Sequence, residues 1–314
     1  MKVCFVGAGS IGKRHIKNLK KISQMEGFLV EIHLLRSSHK LLEKEINDIV
    51  SKQFYLFEDV DEYYDAVFVT NPTYLHYETV LMWSEKAKFF FVEKPVFDNW
   101  NMDISMFNCN SHNVYYVACP LRYTKVLQAA QVIINQNSIY SARAICSSYL
   151  PDWRPGIDYR DTYSAKKEQG GGVKIDLIHE WDYLIHLFGF PKRVYEMDGK
   201  YSDLEINSED IAIYIAQYDN QLLELHLDYF GKKEQRYLEI MTQDAVYTFD
   251  IANNCIMKNG TVIEEFEEDS NDKYMREMYY FYELVNGKVE NVNNIMQAVN
   301  VMKVANNEAI KLDR

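Results

Sequence analysis

Apolar and polar positions alternate in two different rhythms along this chain. In the first, Val3 to Val6 is an apolar run that stops at Gly7, and Lys13 to Lys20 then reads as a helix with Ile11, His15, Ile16 and Leu19 on one face. Leu29 to Leu35 predicts a second strand, Leu41 to Val50 an amphipathic helix, and Gln53 to Phe57 a short third strand. Ala66 to Thr70 is almost wholly apolar, as a parallel strand buried on both faces should be. A helix from about Tyr74 to Lys86, a strand over Lys88 to Val92, a helix over Asn101 to Asn108 and a strand over Val114 to Ala118 follow. Strands alternating with crossover helices predict a doubly wound parallel sheet.

The second rhythm is strand-rich. A helix over Lys125 to Asn135 and a strand over Ser141 to Ser148 lead into a polar-aromatic loop, Tyr149 to Gly156. Gly170, Gly171 and Gly172 then open a helix with Ile175, Ile178, Trp181, Ile185 and Phe188 as its apolar stripe. Ile211 to Tyr218 and Leu222 to Tyr229 flank Asp219-Asn220 as a hairpin. Arg236 to Met241, Ala245 to Asp250, Cys255 to Lys258 and Val262 to Phe266 extend an antiparallel sheet of roughly six or more strands. Helices over Asp272 to Asn286 and Val292 to Lys311 close the chain, and Tyr274, Tyr279, Phe281 and Tyr282 are expected to pack against the sheet as core. The expected class is α/β, with a first domain over 1–120 and a second over 121–314, the last helices free to pack back toward the first.

Composition narrows the partners. The chain has 314 residues, 47% apolar and 25% charged, with a net charge of -12. That balance argues against nucleic acid and anionic membrane surfaces. Five scattered cysteines (Cys4, Cys109, Cys119, Cys146, Cys255) without a C-x-x-C pair point to reduced, mostly buried thiols in a cytoplasmic protein. The first strand begins at once, leaving no signal peptide before it, and no apolar run nears the roughly 18 residues of a membrane span.

Candidate chemistry sits where strands end. Gly7, Gly9 and Gly12 have the spacing G-x-G-x-x-G between a strand and a helix. In that context Gly7 permits a sharp turn, Gly9 lets backbone N–H groups of Ser10 and Ile11 approach a pyrophosphate, and Gly12 lets the helix pack closely. The second strand ends in Arg36-Ser37-Ser38 with no carboxylate, which favours NADP over NAD. The fourth ends in Thr70-Asn71-Pro72, with His76 beyond it, and the fifth in Glu93-Lys94-Pro95. After the triple glycine, Asp176, His179 and Asp182 recur every three positions, so one carboxylate and one imidazole share a helix face. Glu180 and His186 lie in the same stretch, yet one helix seldom supplies a full ligand set, and no metal is expected.

The glycine motif, Thr70-Asn71-Pro72 with His76, and above all Glu93-Lys94-Pro95 resemble the glucose-fructose oxidoreductase / inositol dehydrogenase / MocA family over the whole chain. The resemblance implies an N-terminal Rossmann domain and a C-terminal α/β domain with a large, mostly antiparallel sheet. It further implies hydride transfer between NADP or NAD and a hydroxyl-bearing carbon of a sugar, inositol or nucleotide-sugar substrate, and a homodimer or homotetramer through the C-terminal sheet. Lys94 would hydrogen-bond the reacting hydroxyl, His179 would act as general acid/base, and Asp176 would orient His179 or bind a neighbouring hydroxyl. The family pattern spaces that Asp and His by four, where Asp176 and His179 are three apart. Arg122, Trp153 and Asp182 are further candidate substrate contacts, and the stretch Asp152 to Arg160 resembles members from bacterial surface-sugar pathways. The alternatives are a non-catalytic NAD(P)-binding regulator, which has no need of Lys94 with His179, and a reductase of a non-sugar substrate, which predicts a more apolar pocket.

Overall fold

The computed structural model describes residues 1–109 and 112–308. They form two compact units, Met1–Pro120 with Asn271–Val299, and Leu121–Ser270 with the residues from Asn300 on.

In the first unit the elements run β1 (Lys2–Val6), α1 (Ser10–Met25), β2 (Glu31–Leu35), α2 (Lys44–Ile49), β3 (Lys52–Phe54), β4 (Tyr64–Val69), α3 (His76–Trp83), β5 (Ala87–Val92), α4 (Ser105–Cys109) and β6 (Val114–Val117). The six strands make one parallel sheet of order β3-β2-β1-β4-β5-β6. Its centre is aromatic: Phe5 stacks on Phe68, and Phe68 on Phe91, all fully buried. Helix α2 starts at Lys44, later than the apolar pattern suggests, because Leu41 finds no core and stands almost wholly in solvent.

The second unit begins with α5 (Lys125–Gln136), whose Thr124 cap accepts from the Leu127 N–H. Then come β7 (Ile139–Tyr149), a run of short 3-10 turns, α6 (Val173–Asp176), α7 (Ile178–Phe188), β8 (Arg193–Gly199), β9 (Ile211–Gln217), β10 (Leu222–Asp228), β11 (Phe230–Thr242), β12 (Val246–Asp250), β13 (Cys255–Lys258) and β14 (Thr261–Glu265). They form an eight-stranded sheet of order β14-β13-β12-β11-β7-β10-β9-β8, antiparallel except where β7 pairs with β10. Strict alternation along β9 buries Ala212, Tyr214 and Ala216 and leaves Ile213 and Ile215 out, the mark of a sheet covered on one face.

Two helices follow, α8 (Asp272–Val285) and α9 (Ile295–Ala305), the end of the expected last helix lying outside the described residues. Of the four α8 aromatics expected as core, only Phe281 is core, and it belongs to the parallel sheet and not the antiparallel one, while Tyr274, Tyr279 and Tyr282 are half-buried. Phe281 meets Phe68 and Phe91 edge-on, and Tyr282 stacks on Phe28. Glu277, fully buried on the same helix, accepts the Cys119 N–H at 2.5 Å. Cys4, Cys119, Cys146 and Cys255 are free and buried, while the Cys109 side chain is outside the described set. Among the described residues no helix is long and apolar enough to cross a membrane.

Candidate active site

The glycine turn is built by contacts that only hydrogen atoms fit. Gly7 has φ +102°, and a Cβ there would sit 2.8 Å from both the Asn71 nitrogen and the Thr70 carbonyl. A Cβ on Gly12 would meet the Gly7 carbonyl at 2.7 Å and the Thr70 hydroxyl at 2.8 Å. Thr70 locks the turn, donating to the carbonyls of Val6 and Gly7. Gly9 is different, since a Cβ there would meet nothing within 4 Å. It is the N-cap of α1, which has no side-chain cap and no acidic residue in its first turn. The N–H groups of that turn therefore form an open cradle at the positive end of a helix, which fits a pyrophosphate.

At the end of β2, Arg36 donates to Gln53 Oε1 at 3.1 Å, to the Lys40 carbonyl at 2.6 Å and to the Tyr55 hydroxyl at 3.3 Å. All three partners are neutral. Ser37 and Ser38 beside it are exposed, with Ser38 Oγ accepting the Lys40 N–H. Asn71, after β4, donates to Thr79 Oγ1. His76 is buried, with Nε2 at 3.0 Å from the Asn71 carbonyl and Nδ1 at 3.1 and 3.2 Å from the carbonyls of Pro95 and Val96. Burial lowers its pKa despite those carbonyls and the nearby Glu93. His76 thus ties the Thr70-Asn71-Pro72 turn to the Glu93-Lys94-Pro95 turn, where the Lys94–Pro95 peptide is cis. Glu93, at the end of β5, is buried, and Lys94 follows it.

In the second unit the triple-glycine segment departs from its expected form. Gly172, at φ +130°, caps α6, and the chain leaves the helix at Leu177 (φ -97°, ψ 22°) before α7 begins. Asp176, His179 and Asp182 therefore do not share one continuous helix, and each meets its own partner. The Tyr229 hydroxyl donates to Asp176 Oδ2 at 2.6 Å, and the Asp176 charge also acts on Tyr163. Burial, then the Asp176 charge, raises the pKa of both tyrosines, which keeps them as donors. The Arg236 guanidinium donates to His179 Nε2, and its Nε donates to Glu180 Oε1 at 2.9 Å. Since a guanidinium only donates, Nε2 is the accepting nitrogen of His179 and the ring proton lies on Nδ1.

Of the candidate substrate contacts, Arg122 and Asp182 meet each other. Arg122 forks onto Asp182 at 2.9 and 2.6 Å, both side chains being at most 10% exposed, so the pair braces α7 against the turn before α5. The Trp153 indole donates to Ser148 Oγ at 2.9 Å and lies edge-on to Tyr229. Arg236, Tyr163 and Tyr229 are site residues that the sequence pattern does not single out. The partners of Arg236 and Tyr229 lie more than 50 residues away in the chain, and a single arginine in a strand carries no local signal.

A parallel sheet of this order with an open glycine cradle at the end of its first strand has the form of a dinucleotide-binding fold. The chain belongs to the GFO_IDH_MocA oxidoreductase family: residues 1–115 match its NAD-binding Rossmann fold, and residues 153–309 its C-terminal alpha/beta domain. It is 26% identical over 225 residues to the uncharacterised oxidoreductase YrbE of Bacillus subtilis (strain 168), covering 68% of this chain and 63% of that protein. It thus spans less than two thirds of that relative's length. In fold it resembles the WlbA dehydrogenase of Bordetella pertussis in complex with NADH and UDP-GlcNAcA (TM-score 0.78, 17% identity, 98% of this chain and 94% of that one). It is equally similar to myo-inositol 2-dehydrogenase of Lactobacillus plantarum (TM-score 0.78, 18% identity, 98% and 95%).

Proposed function

We propose that this protein is a dehydrogenase or reductase that moves a hydride between NADP and a hydroxyl-bearing carbon of a sugar-like substrate. The observation that carries the reading is Lys94 at the carboxyl end of β5, in the same unit as a glycine cradle open at Gly9. In sheets of this kind ligands bind outside the carboxyl ends of the strands. The dinucleotide supplies the hydride chemistry, and the protein supplies position and charge. The first turn of α1 would hold the pyrophosphate, with Thr70 and Asn71 shaping the turn beside it. Arg36, Ser37 and Ser38 would take the 2′-phosphate, because the arginine meets only neutral acceptors and keeps its charge for an anion.

Lys94 is assigned the hydrogen bond to the reacting oxygen, stabilising the negative charge that develops on it. His179 is assigned the proton transfer through Nε2, which the Arg236 guanidinium would yield to the substrate hydroxyl on binding. Asp176, which accepts the Tyr229 hydroxyl, is assigned a neighbouring substrate hydroxyl. The sugar-like class is supported by the substrates named for the structural neighbours, a UDP-sugar acid and myo-inositol.

The test is nicotinamide absorbance with NADP and NAD against sugars, inositols and nucleotide sugars, with Lys94→Ala alongside. Turnover that disappears in Lys94→Ala is expected. Tight dinucleotide binding with no turnover across the panel would count against catalysis and for a regulator.

A further inference from the structure

Behind the Glu93-Lys94 turn lies a buried pair that the chemistry above does not use. His15, on the second turn of α1, has no exposed surface, and its Nε2 lies 2.6 Å from Glu93 Oε1. A carboxylate at this site accepts, so Nε2 carries the proton. The other ring nitrogen, Nδ1, is buried without a partner. The ring packs edge-on against Phe91 at 4.9 Å and Tyr274 at 6.1 Å. On its other side, Glu93 Oε2 accepts the Lys94 backbone N–H at 3.2 Å. Burial alone would favour the neutral acid of Glu93. The bond from His15 and the nearby Lys94 charge outweigh it and hold the carboxyl below its usual range.

Packing does not explain this arrangement. The neighbouring core positions of the helix are Ile16, Leu19 and Ile22, all buried. Apolar side chains at 15 and 93 would fill the space with neither a desolvated carboxylate nor an orphaned nitrogen. What the pair adds is a connection. One end is the helix whose N-terminus forms the anion cradle, and the other is the backbone of the candidate catalytic lysine. We propose that His15 is a positioning residue which, through Glu93, fixes the backbone and the charge surroundings of Lys94.

The role given to Lys94 rests on the dehydrogenase reading, so the test reads Lys94 itself. Reductive methylation of the full chain with a 13C label gives lysine resonances, and Lys94→Arg identifies the one from Lys94. His15→Phe is expected to move that resonance beyond its linewidth while NADPH affinity, followed by nicotinamide fluorescence, stays within about threefold. His15→Gln, whose amide nitrogen reaches where Nε2 stood, is expected to restore the resonance. With a substrate in hand, His15→Phe should lower kcat by about a hundredfold at little change in KM. A Lys94 resonance unmoved in His15→Phe, or equally displaced in His15→Gln, overturns the proposal. Should His15→Phe fail to fold, Glu93→Gln takes its place, and an unmoved resonance there overturns it as well. A resonance that behaves as expected beside a chain that never turns over would uphold the positioning and discard the dehydrogenase.

Discussion

Arg36 and Arg236 are both arginines held by several polar groups, and their environments set them opposite tasks. Arg36 meets a carbonyl, an amide and a phenol, so its charge is not cancelled by a carboxylate among the described residues. Replacing it with aspartate should weaken NADPH binding at least about tenfold more than NADH binding, the scale of removing one charge-assisted hydrogen bond and adding one repulsion. Fluorescence titrations with both cofactors check this, and equal weakening would remove the basis for NADP. Arg236 instead faces Glu180, which is fully buried and whose Oε2 has no partner. Arg236→Met should therefore cost about 3 kcal/mol by leaving that carboxylate uncompensated, and adding Glu180→Gln should recover most of it. Urea denaturation of the two variants decides: a double variant no more stable than the single one would show that the arginine matters for packing and not for charge.

At the scale of elements, the glycines of the first turn divide into structural and functional kinds. Gly12→Ala forces a methyl against the Gly7 carbonyl and Thr70, so both melting temperature and dinucleotide affinity should fall. Gly9→Ala meets open space at φ -67°, which alanine adopts freely. Its stability should stay within about 0.5 kcal/mol while dinucleotide affinity drops about tenfold or more, measured by thermal melts and fluorescence on the same samples. A Gly9→Ala protein that binds normally would place the pyrophosphate elsewhere. The first unit is legible in the sequence because its strands are short apolar runs ending in turn residues, and β4 and β5 are nearly unbroken. The break at Leu177 is not legible, since the apolar stripe from Ile175 to Phe188 keeps helical spacing straight through it. Nor is the sheet chosen by α8, because an amphipathic helix shows which face is buried and not what buries it.

At the scale of the whole molecule, the outer face of the eight-stranded sheet carries a band of exposed apolar side chains among the described residues. Helices α5 and α6 contact its other face, at β12 and at β9 and β10. Strand register aligns the outward side chains in rows: Tyr195, Ile215, Glu224, Arg143 and Glu239 in one, and Met197, Ile213 and His226 in the next. Tyr195, Met197, Ile213 and Ile215 are between 40% and 77% exposed. In the first row Arg143 lies between two carboxylates, bonding Glu224 at 3.0 Å with Glu239 at 3.9 Å on its other side. Eight strands at about 4.8 Å and about seven residues at 3.3 Å give a face of roughly 900 Å². A stable interface takes about 800 Å² from each partner. A face of that size whose β8 and β9 rows expose Tyr195, Met197, Ile213 and Ile215 suits a second copy of itself, which would cover those apolar side chains. The chain should therefore sediment at two or four times its own mass at micromolar concentration. Ile213→Glu with Ile215→Glu should shift it toward monomer, since carboxylates placed on a self-facing surface meet their own copies. Because these positions point away from the core, the variant should keep its cofactor affinity. A wild-type chain that sediments as a monomer would leave the exposed rows without this explanation.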